Sequence, residues 1–237
     1  MRFKGKTVLV TGASRGLGRC VAKRFAAEGA KVVLVARDEG KLKEVMAQIS
    51  AGGGRAVYCA TDISEEEGAR KAVETAWKTC GSLDILVNNA AVHKAVPVWE
   101  MSTADWEQMI KVNLTGAFLC AREAVKYMRI QNKGVILNIS STAAHHYFPG
   151  FAAYAAAKAG MNSLTKTLAV ELQPFNIRVN ALSLGLVNTE YSRERIKDSD
   201  PHTWLQPEEV AEVILFLASE EARGINGAIV EVTGNRL

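Results

Sequence analysis

Short, almost wholly apolar runs alternate along this chain with longer stretches in which apolar residues recur every three or four positions. The short runs cover 7–11, 31–36, 56–60, 85–88, 135–139, 177–181 and 228–232. Several are nearly continuous Val, Ile and Leu, which predicts strands covered on both faces. The longer stretches predict helices over 16–28, 39–50, 65–79, 103–131, 152–172 and 207–218. Local start signals agree: Ser64 with Glu67 reads as a capping box, and Pro207 suits a first helical turn.

Strands alternating with helices specify an α/β fold, a doubly wound parallel sheet of about seven strands with helices on both faces. Such a sheet binds ligands beyond the carboxyl ends of its strands, where the strand order reverses. No repeat, low-complexity tract or long linker interrupts the 237 residues, so one domain over 1–237 is expected. A content of 48% hydrophobic and 23% charged residues excludes disordered and fibrous classes. The 29 Lys and Arg against 25 Asp and Glu leave a net charge of +4. That excess is too thin and scattered to suggest nucleic acid or a membrane surface as partner. Cys20, Cys59, Cys80 and Cys120 show no C-x-x-C spacing, so reduced thiols and no metal site are expected. No signal-peptide pattern or transmembrane-length apolar stretch is present, and a cytoplasmic protein is expected.

The first strand runs into Gly12-Ala13-Ser14-Arg15-Gly16-Leu17-Gly18 and then a helix. Glycines at a strand-to-helix turn let the backbone approach a pyrophosphate, which the helix N-terminus stabilises through its free N–H groups. The spacing G-x-x-x-G-x-G differs from the best-known dinucleotide pattern, so the turn alone is also compatible with a purely structural role. The second strand ends Val35-Ala36-Arg37-Asp38. A carboxylate at the strand end would bind the adenosine ribose hydroxyls, whereas an arginine attracts a 2′-phosphate. Arg15 and Arg37, with no acid at Ala36, favour NADP(H) over NAD(H). Asp38 argues the other way, and Arg37 with Asp38 could also simply open a solvated loop.

Tyr154 and Lys158 lie four apart and share one face of a helix. An ammonium beside a phenol stabilises phenolate and makes the tyrosine a usable acid or base. Taken alone, such a spacing is also common in surface pairs. Its context changes this. The segments Thr11-Gly12-Ala13-Ser14-Arg15-Gly16-Leu17-Gly18, Asp62-Ile63, Asn88-Asn89-Ala90, Asn113, Ile139-Ser140-Ser141, Tyr154/Lys158 and Gly185-x-x-x-Thr189 follow in order. In that order the chain resembles a short-chain dehydrogenase/reductase of the ordinary, non-extended kind, over almost its whole length.

The resemblance implies a Rossmann-type fold and a set of roles. Tyr154 would be the general acid/base, Lys158 would lower the tyrosine pKa and hold the nicotinamide ribose, and Ser141 would hydrogen-bond the reacting carbonyl. Asn113 would hold a water linking Lys158 to solvent. Gly12, Ser14, Arg15, Gly16, Leu17 and Gly18 would surround the phosphates and adenosine side, with Arg37 at the 2′-phosphate. Asp62 and Ile63 would flank the adenine, Asn89 and Ala90 the ribose, and Gly185, Val187 and Thr189 the nicotinamide half. The substrate pocket would use His93, Ala143, His145, Tyr147 and Leu184. Ala91, Leu184 and Asn235 depart from the family pattern; Ala91 is expected to crowd the turn and Leu184 to loosen its loop. The polar segment 190–206 suggests a short, mobile lid over an open site. The implied activity interconverts a carbonyl and a secondary alcohol, on a small-molecule or carrier-bound substrate. A 3-oxoacyl-carrier-protein reductase is the nearest flavour, with sugar, steroid-like or xenobiotic carbonyl compounds as alternatives. A cofactor-binding regulator without turnover fits poorly with intact Asn113, Ser141, Tyr154 and Lys158. A homotetramer, or a homodimer, built on the 103–131 and 152–172 helices is expected.

Overall fold

Every strand predicted from an apolar run pairs into one parallel sheet of seven, β1 (Thr7–Thr11), β2 (Lys31–Ala36), β3 (Arg55–Ala60), β4 (Ile85–Asn88), β5 (Gly134–Ser141), β6 (Ile177–Leu184) and β7 (Ile229–Val232). The computed structural model describes residues 1–197 and 199–234. Strand order is β3-β2-β1-β4-β5-β6-β7, so the winding reverses between β1 and β4. The apolar alternation feeds two cores. Val8, Val10, Val32 and Leu34 pack on one face with Leu42 and Ile214, while Leu9, Val33, Leu86 and Ile136 pack on the other with Val73 and Met128. That is why the strands read as unbroken apolar runs: both faces leave water.

Helices α1 (Gly16–Ala27), α2 (Glu39–Ala51), α3 (Glu66–Cys80), α4 (Thr103–Ile110), α5 (Gly116–Gln131), α6 (Ala152–Glu171), α7 (Glu190–Arg195) and α8 (Pro207–Ala218) cover the sheet. Pro207 does open α8, where the Gln206 amide donates to Glu209. The expected Ser64 capping box does not form. Glu65 takes the N-cap position of α3 without a side-chain bond, and the Ser64 amide is instead claimed by Asp62 Oδ1 at 2.9 Å. The single helix expected over 103–131 is broken by a π turn, Lys111–Thr115, between α4 and α5. Such turns are frequent at functional sites, and this one carries Asn113.

At the reversal the carboxyl ends of β1 and β4 are tied together. The Asn89 side-chain amide donates to Thr11 O (2.9 Å) and Gly12 O (3.3 Å), and Thr11 Oγ1 accepts the Asn89 and Ala90 amides at 2.9 and 3.0 Å. These bonds hold open the crevice into which the functional side chains project. Among the described residues no helix is long and apolar enough to cross a membrane, and no cluster of His, Cys, Asp and Glu could hold a metal.

Candidate active site

A cleft of about 1130 Å³ runs along the carboxyl edge of the sheet, from the Gly12–Gly18 turn and Arg37 at one end to His93, Phe148 and Phe151 at the other. The turn needs its glycines. A Cβ on Gly12, where φ is +66°, would lie 2.9 Å from Ala90 Cα, and one on Gly18 would lie 2.2 Å from Gly12 O. Helix α1 therefore begins tight against β1 and β4, with its first amides open to the cleft and no acid in its first turn. These residues fit a dinucleotide: a glycine cradle at a helix N-terminus, then a cleft long enough for two nucleotides. Every predicted cofactor residue lines it, namely Gly12, Ser14, Arg15, Gly16, Leu17, Gly18, Arg37, Asp62, Ile63, Asn89, Ala90, Tyr154, Lys158, Gly185, Val187 and Thr189.

The adenosine end is cationic. Arg37 and Lys41 line it, with Arg37 3.8 Å from Asp62, while the Arg15 guanidinium lies over the Tyr191 ring, 5.4 Å from its centroid. Burial acts upward on Asp62, but the Ser64 amide and hydroxyl and the Arg37 charge hold its carboxyl below the usual range. Asp38 lines the same end and also caps α2, its Oδ1 accepting the Lys41 amide at 3.0 Å.

At the other end α6 presents Tyr154 and Lys158 on one face. Lys158 is 2% exposed, its Nζ donates to Ile139 O at 2.7 Å, and the ammonium lies 5.5 Å from the Tyr154 ring centroid. Burial pulls Lys158 down to about 8. Burial pushes Tyr154 up to about 12, the Ser141 hydroxyl pulls it back and Tyr191 adds a smaller upward push, so the lowering expected from Lys158 does not emerge. The two serines of β5 both line the cleft but reach different groups of α6. Ser140 donates to the Lys158 carbonyl oxygen at 3.4 Å, while Ser141 faces Tyr154 and accepts the Ala143 amide at 3.2 Å. Asn113 is fully buried; its amide donates to Val92 O and Met109 O, both at 2.8 Å, and its oxygen accepts the Val92 amide at 3.2 Å. With both amide hydrogens bonded to backbone, the side chain anchors the loop that carries His93.

This tyrosine, buried lysine and serine beside a dinucleotide cradle match a family in sequence as well: a short chain dehydrogenase family model covers residues 6–200. The chain belongs to that family. It is 39% identical to 3beta-hydroxysteroid dehydrogenase 1 of Eggerthella lenta, over 98% of this chain and 94% of the relative. It is 36% identical to the 3-oxoacyl-[acyl-carrier-protein] reductase FabG of Aquifex aeolicus, over 99% and 98%. Among solved structures, 7 alpha-hydroxysteroid dehydrogenase complexed with NADH and 7-oxo glycochenodeoxycholic acid superposes with a TM-score of 0.94. That match has 31% identity and covers 100% of this chain and 96% of the other. The chain is thus a short-chain dehydrogenase/reductase, an oxidoreductase of carbonyl and alcohol groups with a nicotinamide cofactor.

Three of the five pocket residues expected of a short-chain dehydrogenase, His93, Ala143 and Leu184, line the cleft; His145 and Tyr147 do not. The chain leaves β5 through a 3-10 turn, Thr142–Ala144, which sends His145 towards β7, its Nε2 3.1 Å from Glu231. Tyr147 is 94% exposed. Phe148 and Phe151 supply the aromatic wall instead. Leu184 does not loosen its loop either. Having an N–H that proline lacks, it extends β6, paired with Ser141 and Val232. Ala91 lines the cleft without a left-handed backbone, so it does not strain the turn. Asn235 lies outside the described residues, as does Asp198 of the lid segment.

Contacts link the lid segment to the rest of the domain. Arg19 of α1 pairs with Glu190, and Tyr191 Oη donates to His93 O at 2.6 Å. Asn188 N–H donates to Leu205 O at 2.8 Å. Tyr191 and Arg195 of α7 both line the cleft and were not singled out from the sequence. Their only signal was position, just beyond Gly185-x-x-x-Thr189.

Proposed function

We propose that the protein is an NADP(H)-dependent reductase that converts a carbonyl to a secondary alcohol, acting as one domain over 1–237. The convergence of Ser141, Tyr154 and Lys158 at one end of a dinucleotide cleft carries this reading. The nicotinamide, when bound, supplies the hydride. Tyr154 Oη gives its proton to the carbonyl oxygen as charge develops there, and Ser141 Oγ hydrogen-bonds the same oxygen. Lys158 holds the nicotinamide ribose and stabilises the phenolate left behind. Ser141→Ala is expected to lower kcat about 10²-fold, the scale of one lost donor to a developing oxyanion. Ser140→Ala falls by far less. Equal losses in the two serine variants, read by nicotinamide absorbance with a ketone panel, would reject the assignment.

NADP(H) is favoured because Arg37 and Lys41 line the adenosine end, while Asp38, the acid placed to suit NAD(H), has its Oδ1 engaged in capping α2. Arg37→Ala is expected to weaken NADPH binding about tenfold and NADH binding little, as one charge-assisted contact is lost. Fluorescence titration with both nucleotides tests this; wild-type protein binding NADH as tightly as NADPH would overturn it.

The walls near Tyr154 (Val92, Phe148, Phe151, Leu186 and Ile196) are apolar, which favours an acyl or steroid-like carbonyl over a polyol sugar. The likeness to a 3-oxoacyl-carrier-protein reductase and a hydroxysteroid dehydrogenase supports both of these classes, and turnover of 3-oxoacyl thioesters against steroid ketones separates them. Trp106, Phe118, Ile130 and Val170 are exposed on α4, α5 and α6, which supports the expected homotetramer or homodimer on those helices. A cytoplasmic protein remains our expectation.

A further inference from the structure

We infer that Arg195 reads an anionic group on the substrate, so that the preferred substrate is an apolar carbonyl compound carrying a carboxylate or comparable anion remote from the reacting carbon. Arg195 closes α7 and lines the cleft. Its guanidinium rests 3.7 Å from the Tyr191 ring centroid, a cation–π seat that fixes it before any ligand arrives. Tyr191 is itself fixed by its hydrogen bond to His93 O at 2.6 Å. The His93 ring meets Tyr154 edge-on, with centroids 5.0 Å apart. Arg195 is therefore linked to the catalytic tyrosine through two residues, Tyr191 and His93, and its charge adds to burial in lowering the His93 pKa.

The charge is also available. Among the described residues Arg195 forms one ion pair, with its neighbour Glu194, at 3.8 Å and in solvent-exposed surroundings. Such a pair is weak. The other cations of the cleft are engaged or elsewhere. Lys94 is held by both oxygens of Asp105, at 2.9 and 2.8 Å. Arg15 reaches the same Tyr191 ring from the glycine turn but at the longer distance of 5.4 Å, and Arg37 and Lys41 lie near Asp62 and Asp38. Apolar walls with one fixed guanidinium at the rim suit an amphipathic anion: the walls take the hydrocarbon and the fork takes the carboxylate.

The inference rests on the carbonyl-reductase chemistry proposed above, and the test separates the two. A panel of steroid keto acids and oxo fatty acids, each supplied as carboxylate and as methyl ester, is assayed with NADPH. Wild-type kcat/KM is expected to favour the carboxylate about tenfold or more, the scale of one charge-assisted hydrogen bond. Arg195→Met should remove that preference, and Arg195→Lys should restore part of it. No acid preference in wild type, or a preference that survives in Arg195→Met, overturns the inference. So does an equal weakening of NADPH binding in Arg195→Met, which would mark Arg195 as a cofactor contact. Failure to reduce any member of the panel overturns the reductase reading itself.

Discussion

Replacing Tyr154 with Phe is expected to lower kcat for ketone reduction by about 10²–10⁴-fold, the span that a positioned general acid contributes. The change removes one oxygen and keeps the ring, so packing against His93 at 5.0 Å and Phe151 at 6.1 Å survives and NADPH binding should stay near wild type. The pH dependence gives a second handle. Burial holds the phenol at about 12, so it is protonated throughout the neutral range. The site is therefore set as a proton donor at neutral pH, as reduction requires. Alcohol oxidation needs the phenolate, and its rate should climb with pH across the neutral and alkaline range. In Tyr154→Phe the remaining oxidation should lose that slope. Turnover of the Phe variant at the wild-type rate would sink the mechanism.

The strands were legible because a parallel strand buried on both faces has little choice of residue. Thr7–Thr11 and Lys31–Ala36 could be bounded from their apolar runs alone. Where a boundary moved, a tertiary contact moved it. Strand β6 reaches Leu184 because both of its neighbours continue alongside, which no local pattern announces. The π turn at Lys111–Thr115 was equally silent, since one extra residue in a helical ladder leaves the apolar spacing nearly unchanged. The cofactor half of the site was legible for a different reason: backbone must touch ligand there, so glycine is required and visible. The substrate half has no such constraint. His145 and Tyr147 looked like pocket residues because they are bulky and lie in the loop after β5, which the family resemblance assigns to the pocket. A three-residue turn decides which side chains face inward, and it favours Phe148 and Phe151. The role of Asp38 could not be read from sequence either, because a carboxylate two residues past a strand can bind a ribose or cap a helix equally well.

Lys158→Met is expected to lose activity about as severely as the tyrosine variant and yet to melt no lower than wild type at pH 7. The lysine is 2% exposed, and among the described residues no carboxylate pairs with it. Burial takes its pKa from 10.5 to about 8. A shift of that size means the native state carries its ammonium at a cost of about 3 kcal/mol below pH 8. The sign follows from proton counting. Between pH 8 and 10.5 the unfolded chain binds more protons at this position than the native one, so native stability rises with pH across that window. Below pH 8 both states are protonated and the full cost remains. Methionine fills a similar volume without the charge, which relieves that cost. It also strips Ile139 O of its 2.7 Å partner, which offsets about 1–3 kcal/mol. The balance is a Tm at pH 7 equal to wild type or a few degrees above it, by about 2–4 °C per kcal/mol for a chain of this size. Any excess should shrink as pH is raised from 8 towards 10.5, because only the wild type gains stability there. Thermal melts of both proteins at pH 7, 8, 9 and 10 measure it. A Met variant that melts well below wild type at pH 7 would mean that Lys158 stabilises the fold, and retained turnover would remove it from the chemistry. The expected pattern, folded and inactive, is that of a charge kept in the core for its action on Tyr154 and the cofactor ribose, against the interest of stability.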